Sequence, residues 1–373
     1  MIVSPNSITV DLSALARNLR EVKNLISRDT RIMGVVKSDA YGHGPLEVGL
    51  ALERNGVDCL GVAYLHEAIE LREGGVRLPI VVLCGIRTRE ESCEVLEKRL
   101  TPVLFDLSVA EILSKECLKQ GKRIGLHLKV DTGMGRLGIS HNHIGPFLQK
   151  IISFKNLDIE ALTSHLATAD ESDTRFSEDQ IERFEQAVSI GRSLGLDLPL
   201  NNMANSAGIM HHKKAHFNMV RPGIMLYGGR PSLDVDSPVP LAPVMHLRAQ
   251  VVQVRDLPDK TPVSYGRTYH TEGSRRIAVI SAGYGDGLPR KLSNRGNVLV
   301  GGEKAAIIGT VCMNLTVCDI TGLKGIKPGD EAVFLGSQGG KCITGDDIAR
   351  HTGTISYEIF CAIGRKNIRK YVS

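Results

Sequence analysis

No window of this sequence is long and apolar enough to span a membrane, and the opening stretch MIVSPNSITVDL has neither a basic segment nor a long apolar core. A cytosolic chain is therefore expected. Eight cysteines occur, at 59, 84, 93, 117, 312, 318, 342 and 361, but no C-x-x-C pair, so the usual zinc and dithiol frames are absent and the thiols are expected to be reduced core residues. Runs of lysine and arginine are also missing. With a net charge of only +5, and with HHKKAH (211–216) as the densest basic patch, read as a solvated turn, nucleic acid is not an expected partner. Low-complexity tracts and solenoid repeats are absent too.

What is present is ordinary globular composition, 42% apolar and 23% charged over 373 residues, a length that predicts two domains. Up to about position 232 the chain alternates apolar runs with helix-period segments. The runs are RIMGVV (31–36), CLGVA (59–63), PIVVLC (79–84), TPVLF (101–105), RIGLHLKV (123–130), IEALTSHLA (159–167), LPLNNM (198–203) and FNMV (217–220). Segments such as SVAEILSKECLKQG between them start with serine and end with glycine, as helix caps require. Eight successive βα units predict a closed (β/α)8 TIM-type barrel over 1–232. One earlier run, SITV (7–10), is left over and is expected to pack with the second domain. After the turn-rich GGRPSLDVDSPVP the runs become short and glycine-punctuated, with one helix near GDDIARH, which predicts a mostly β C-terminal domain over 233–373.

Lys37, in VVKSDAYGHG (35–44), ends the first barrel strand. Catalytic residues of this fold sit at the carboxyl ends of strands, and a partly desolvated lysine there can lose its proton and attack a carbonyl to form a Schiff base. The loops after strands seven and eight, NSAG (205–208) and RPGI (221–224), are where a phosphate is expected, with a hydroxyl at Ser206 and close backbone approach at Gly223. An aldehyde with a phosphate arm fits both ends. Pyridoxal 5'-phosphate has that shape.

VVKSDAYGHG, HLKVDTGMGRLG (127–138), SHLATAD (164–170), NSAG, MVRPGIMLYG (219–228), SYGRTY (264–269), GYGDG (283–287) and VCMN (311–314) together resemble bacterial alanine racemase, in the same order and over nearly the whole chain. The resemblance implies a pyridoxal-phosphate enzyme that interconverts L- and D-alanine and supplies D-alanine for peptidoglycan. It implies that Lys37 holds the cofactor as an internal aldimine and is one of two acid/base groups, with Tyr265 the other. By the same likeness Tyr41, Ser206, Gly223, Ile224 and Tyr357 hold the phosphate, and His165 flanks the ring. Arg136 and Met313 hold the substrate carboxylate, with Tyr265 and Tyr284 also at the substrate, and Arg221 faces the pyridine nitrogen. It further implies a homodimer in which Tyr265 enters the neighbouring subunit's site. The chemistry is consistent, because inverting an α-carbon needs a proton removed on one face and returned on the other. A tyrosine, with a reference pKa near 10, needs help from neighbouring positive charge to act as a base, and His165 and Arg136 are candidates. Lys129, seven residues before Arg136, is expected to carry a carbamate, which would turn a repulsion between two cations into a charge-assisted hydrogen bond. Asn314 stands where the family usually has aspartate.

Three rival readings fail on particular residues. GMGRLG (133–138), with Asp158 twenty residues on, fits a dinucleotide fingerprint, yet it sits fifth in a series of βα units and no helix starts directly after it. Pyridoxal-phosphate decarboxylases of this fold set an acid against the ring nitrogen, where Arg221 stands here. Small cofactor carriers lack the second domain. His141 and His143 have no nearby third ligand, so a metal site is not expected there.

Overall fold

The computed structural model describes residues 5–233 and 239–373. The connection at which the sequence places the domain boundary runs through 234–238, which lie outside the described residues. In the first domain the parallel strands Arg31–Val35, Cys59–Val62, Ile80–Val82, Thr101–Leu104, Ile124–Asp131 and Leu157–Thr163 pair in sequence order. Single-residue bridges then join Thr163 to Asn202 and Asn202 to Met219. The strand Met219–Val220 closes the ring by pairing with Arg31–Val35. This is the expected barrel, with its seventh stave reduced to one residue.

That reduction has a local cause. Side-chain amides in LPLNNM take backbone groups that a ladder would need: Asn201 Oδ1 accepts from Leu162 N–H at 2.8 Å, and Asn202 Nδ2 donates to the Leu200 carbonyl at 2.8 Å. Inside the barrel Met33, Cys59, Val81, Val103 and Met219 form their own apolar layer, apart from the larger core under the helices. The first helix, Leu12–Leu25, is capped by Asp11, whose carboxylate accepts from Ala14 N–H at 2.8 Å. Its Leu15, Leu19 and Val22 are buried at helical spacing. Asn18 on the same helix is also buried and fully satisfied, donating to the carbonyls of Leu226 and Ala242 and accepting from Ala242 N–H.

The second domain is an antiparallel sheet built on the long strand Met245–Leu257. That strand pairs with Arg275–Ile280 and with Glu331–Gln338. Glu331–Gln338 also pairs with Asn297–Val300, so the sheet closes on itself. The leftover run near the amino end, Ser7–Asp11, pairs antiparallel with Met245–Leu257 and parallel with Arg369–Val372. Helix Gly345–Thr352 lies where GDDIARH suggests it, but a second helix, Ser356–Gly364, and the last strand were not anticipated. The sequence SYEIFCAIG is apolar almost throughout, so it carries little amphipathic period to mark it as helical.

Two other expectations change. HHKKAH is not simply solvated: His212 and His216 are each 7% exposed, and His216 Nε2 lies 3.1 Å from the Ile209 carbonyl. Of the eight cysteines, all free, only Cys59, Cys117 and Cys318 are fully buried.

Candidate active site

Lys37 follows the first barrel strand, and what comes after it is unusual. Ser38, Asp39, Ala40 and Tyr41 all have φ between 49° and 61° with positive ψ, a left-handed turn made without glycine. At about 1–2 kcal/mol per L-residue this conformation costs roughly 4–8 kcal/mol in all, so its surroundings must over-determine it. One carboxylate does part of that: Glu67 accepts from the N–H groups of Ser38, Ala63 and Tyr64 at 2.5 to 3.0 Å, tying the turn to the end of the next strand. The buried His43 ring lies 3.1 Å from the carbonyls of both Ala40 and Tyr41. An ion pair joins Asp39 to Arg369 on the last strand.

The turn aims Tyr41 across a cavity of about 480 Å³ at the carboxyl end of the barrel. At its far side Ser206 Oγ accepts from Gly223 N–H at 3.0 Å and from Met225 N–H at 3.4 Å, which leaves the Ser206 proton free to donate. The Tyr41 hydroxyl lies so close to Gly223 that a Cβ there would collide with it. Burial pushes the Tyr41 and Tyr357 phenols well above the ordinary tyrosine value, so both remain hydrogen-bond donors at neutral pH. The Tyr41 and Tyr357 rings lie 5.9 Å apart.

The ionised groups of the lining are cationic. Arg221, 5% exposed, is held entirely by uncharged acceptors: Thr163 Oγ1 at 3.1 Å, Asn202 Oδ1, the carbonyls of Ser164 and Met203 at 2.6 and 3.2 Å, and His165 Nδ1 at 3.2 Å. Burial and the neighbouring Arg136 bring its guanidinium down to about 10, still charged at neutral pH. Burial holds Lys37 below the ordinary lysine value, Arg136 and Arg221 push the same way, and Cys84 and Glu67 resist. Lys129 is held further down, by burial and then by Arg221 and Arg136. His165 is held well below the usual imidazole range by burial and by Arg221, and is therefore neutral. No aspartate or glutamate lines the cavity among the described residues.

Thus Lys37, Tyr41, Lys129, Arg136, His165, Ser206, Arg221, Gly223, Ile224 and Tyr357 share one cavity, with Tyr357 coming from the second domain. Tyr265, Tyr284 and Met313 do not reach it. They sit on the β domain, 71%, 42% and 57% exposed, and the loops that carry Tyr284 and Met313 are joined by bonds from Tyr284 N–H to the Cys312 carbonyl at 3.0 Å and from Gly285 N–H to the Met313 carbonyl at 2.7 Å. Sequence reasoning missed Cys84, which lines the cavity, and Glu67, although the spacing of Glu67 three residues after Tyr64 is the spacing of a capping box. The glycine-rich GMGRLG forms turns closed by Asp131, which accepts from the N–H groups of Gly133 and Gly135, and Asp158 pairs with Arg123 on the surface. No group of three metal-binding side chains occurs among the described residues, and none of their helices is long and apolar enough to cross a membrane.

Comparison with known proteins gives a consistent result. The family described as alanine racemase, N-terminal domain, matches residues 10–231, and alanine racemase, C-terminal domain, matches 244–371. An alanine racemase of Syntrophobacter fumaroxidans is 41% identical over 364 residues, covering 98% of this chain and 96% of the relative. The crystal structure of alanine racemase from D-cycloserine-producing Streptomyces lavendulae superposes with a TM-score of 0.93 at 31% identity, covering 100% of this chain and 98% of that one. A Bartonella henselae alanine racemase solved with covalently bound pyridoxal phosphate gives a TM-score of 0.87 at 30% identity, covering 98% and 99%.

Proposed function

We propose, from the premise that the chain belongs to the alanine racemase family and is an isomerase, that it interconverts L- and D-alanine with pyridoxal phosphate attached to Lys37. The observation that carries the cofactor is the cavity itself, in which Lys37, Lys129, Arg136 and Arg221 face each other with no carboxylate among them. Arg221 is buried with only uncharged partners, and gathering further amines and a guanidinium around it is costly, so such a site suits a ligand that brings negative charge. Pyridoxal phosphate brings a phosphate and an aldehyde, and when bound it acidifies the α-proton of an amino acid joined to it.

Each residue then has a task that its environment permits. Tyr41, Ser206 and Tyr357 would donate to phosphate oxygens, and Gly223 with Ile224 would let the backbone approach. Arg221 keeps its protons at neutral pH, so where it faces the ring nitrogen it could donate to that nitrogen but would not protonate it. Neutral His165 accepts from Arg221 and would flank the ring. Lys37, its ammonium disfavoured by burial, moves a proton at the α-carbon on one face.

The opposite face needs a second base. Tyr265 of the partner subunit supplies it, in a dimer whose exposed β-domain residues cover the neighbouring cavity; Met313 of the partner subunit and Tyr284 of the partner subunit complete the substrate end with Arg136. Lys129, an amine made poorly basic by burial, reacts with carbon dioxide to a carbamate, losing one proton and gaining a negative charge between the cations. In the cytoplasm the product would serve peptidoglycan assembly.

The test joins spectrum, mapping and turnover. The purified protein with cofactor should be yellow, lose that colour on borohydride reduction with the pyridoxyl group on Lys37, and racemise either enantiomer of alanine in a chiral assay. A label on Lys129, or release of carbon dioxide from the amino acid in place of racemisation, contradicts the reading.

A further inference from the structure

The left-handed turn after Lys37 is held from the far end of the chain. Arg369, on the strand Arg369–Val372, pairs with Asp39 inside the turn and donates from the same nitrogen to the Gly364 carbonyl at 3.1 Å. Asp39 and Arg369 are only 26% and 20% exposed at the side chain. The contact extends beyond the ion pair. Gly42 and Gly44 both have positive φ, and a Cβ on either would collide, at Gly42 with the Phe360 carbonyl and at Gly44 with the Tyr371 hydroxyl. Phe360 lies on helix Ser356–Gly364, which also carries Tyr357 into the cavity. The segment behind Lys37 is thus shaped against the last twenty residues of its own chain.

We infer that Arg369 is a positioning residue for the cofactor: through Asp39 it fixes the left-handed turn, and with it both Lys37 at the head of the turn and Tyr41 within it. Two anchors of one ligand, the amine for its aldehyde and a phenol for its phosphate, then depend on one ion pair outside the cavity. The second domain so organises the site of its own chain, independently of what Tyr265 does. The inference rests on the reading of Lys37 as the attachment point. A merely structural Arg369 would tie the last strand to the barrel and affect stability alone.

The experiment compares wild-type holoenzyme with Arg369→Ala, Arg369→Lys and Asp39→Asn. It measures the cofactor dissociation constant and the rate of cofactor loss well below each variant's melting temperature. It also measures the pH midpoint of the bound cofactor's absorbance change. Arg369→Ala should weaken cofactor binding roughly 10- to 100-fold, as breaking a largely buried pair does. Arg369→Lys should restore part of the loss, since it can meet Asp39 without also reaching Gly364. Asp39→Asn and Arg369→Ala together should cost less than the product of their separate effects. A displaced pH midpoint in the alanine variant supports positioning, because lost stability alone would not move it. Wild-type binding and pH midpoint in Arg369→Ala overturn the inference, whatever its melting temperature. If that variant does not fold, Arg369→Lys and Asp39→Asn decide, and cofactor affinity unchanged in both overturns it. A wild type that takes no cofactor on Lys37 instead overturns the functional reading, and this inference with it.

Discussion

The barrel has a cavity at each end. The one at the amino ends of the strands is the larger, about 830 Å³ against about 480 Å³. Its charges come in both signs: Arg31, Arg72, Arg77, Lys98 and Arg99 share it with Asp58, Glu97 and Glu160. At the carboxyl end the ionised groups are all cations, and the most buried of them, Arg221, has only neutral partners. Size therefore misleads, and charge balance does not. A cavity whose charges compensate each other can stand filled with water, whereas buried cations left uncompensated persist where a ligand supplies the opposite charge.

The contrast can be attacked at its strongest point by Lys37→Ala. That variant should lose the cofactor's attachment and the visible colour, with racemisation falling below about one-thousandth of wild type, since a covalent anchor and a base go together. Colour that survives and chemically resists removal would place the anchor elsewhere.

The site reaches across subunits in our reading, which sharpens the comparison further. Mixing Lys37→Ala chains with Tyr265→Ala chains gives dimers with one site holding both bases and one holding neither, so random exchange should restore about a quarter of wild-type activity. Demonstrated exchange with no recovery would mean that both bases come from one chain.

Lys129 tests the unbalanced charge directly. Lys129→Ala should lower the rate about tenfold, and chloride or a small carboxylate should restore part of it by supplying the anion that the proposed carbamate would provide. A variant as fast as wild type would remove Lys129 from the site.

The amino-end cavity is also lined by His127, 1% exposed and held down to about 4 by burial and by Arg221. An unfolded imidazole takes its proton near 6.5, so between pH 6.5 and 4 the unfolded chain binds more protons and stability falls with pH. The expected loss from this residue is about 2 kcal/mol between pH 7 and pH 5, measured by denaturant unfolding. His127→Phe should flatten that part of the profile; an unchanged slope would exclude His127 as its source. The smallest effect belongs to the amino-end cavity, where Arg31→Ala should leave turnover within about twofold, because the catalytic groups of this fold sit at the opposite end of the barrel. A larger loss would break the distinction between the ends.

Much of this was legible in the sequence. The βα alternation fixed the class of the first domain, and the lysine at a strand's carboxyl end with the two small-residue loops marked the cavity that the structure assembles. LPLNNM was less readable, because its apolar residues suggest a strand while its paired asparagines take over the backbone bonds. SYEIFCAIG hid a helix for lack of polar period. Cys84 was one cysteine among eight, and nothing local distinguishes it from those in the core.

The sequence by itself determined what depends on neighbours along the chain: the alternation of strand and helix, the caps, and the kinds of group carried by each loop. Tertiary structure alone decided the rest. Asp39 and Arg369 stand 330 positions apart and meet as an ion pair, four residues are held left-handed against their own preference, and Arg221 is buried in the cavity it shares with Lys37 and Lys129 while Tyr265 is left exposed. The reason is physical: desolvation and Coulomb interaction depend on burial and on distance in space, and neither is a function of separation along the chain.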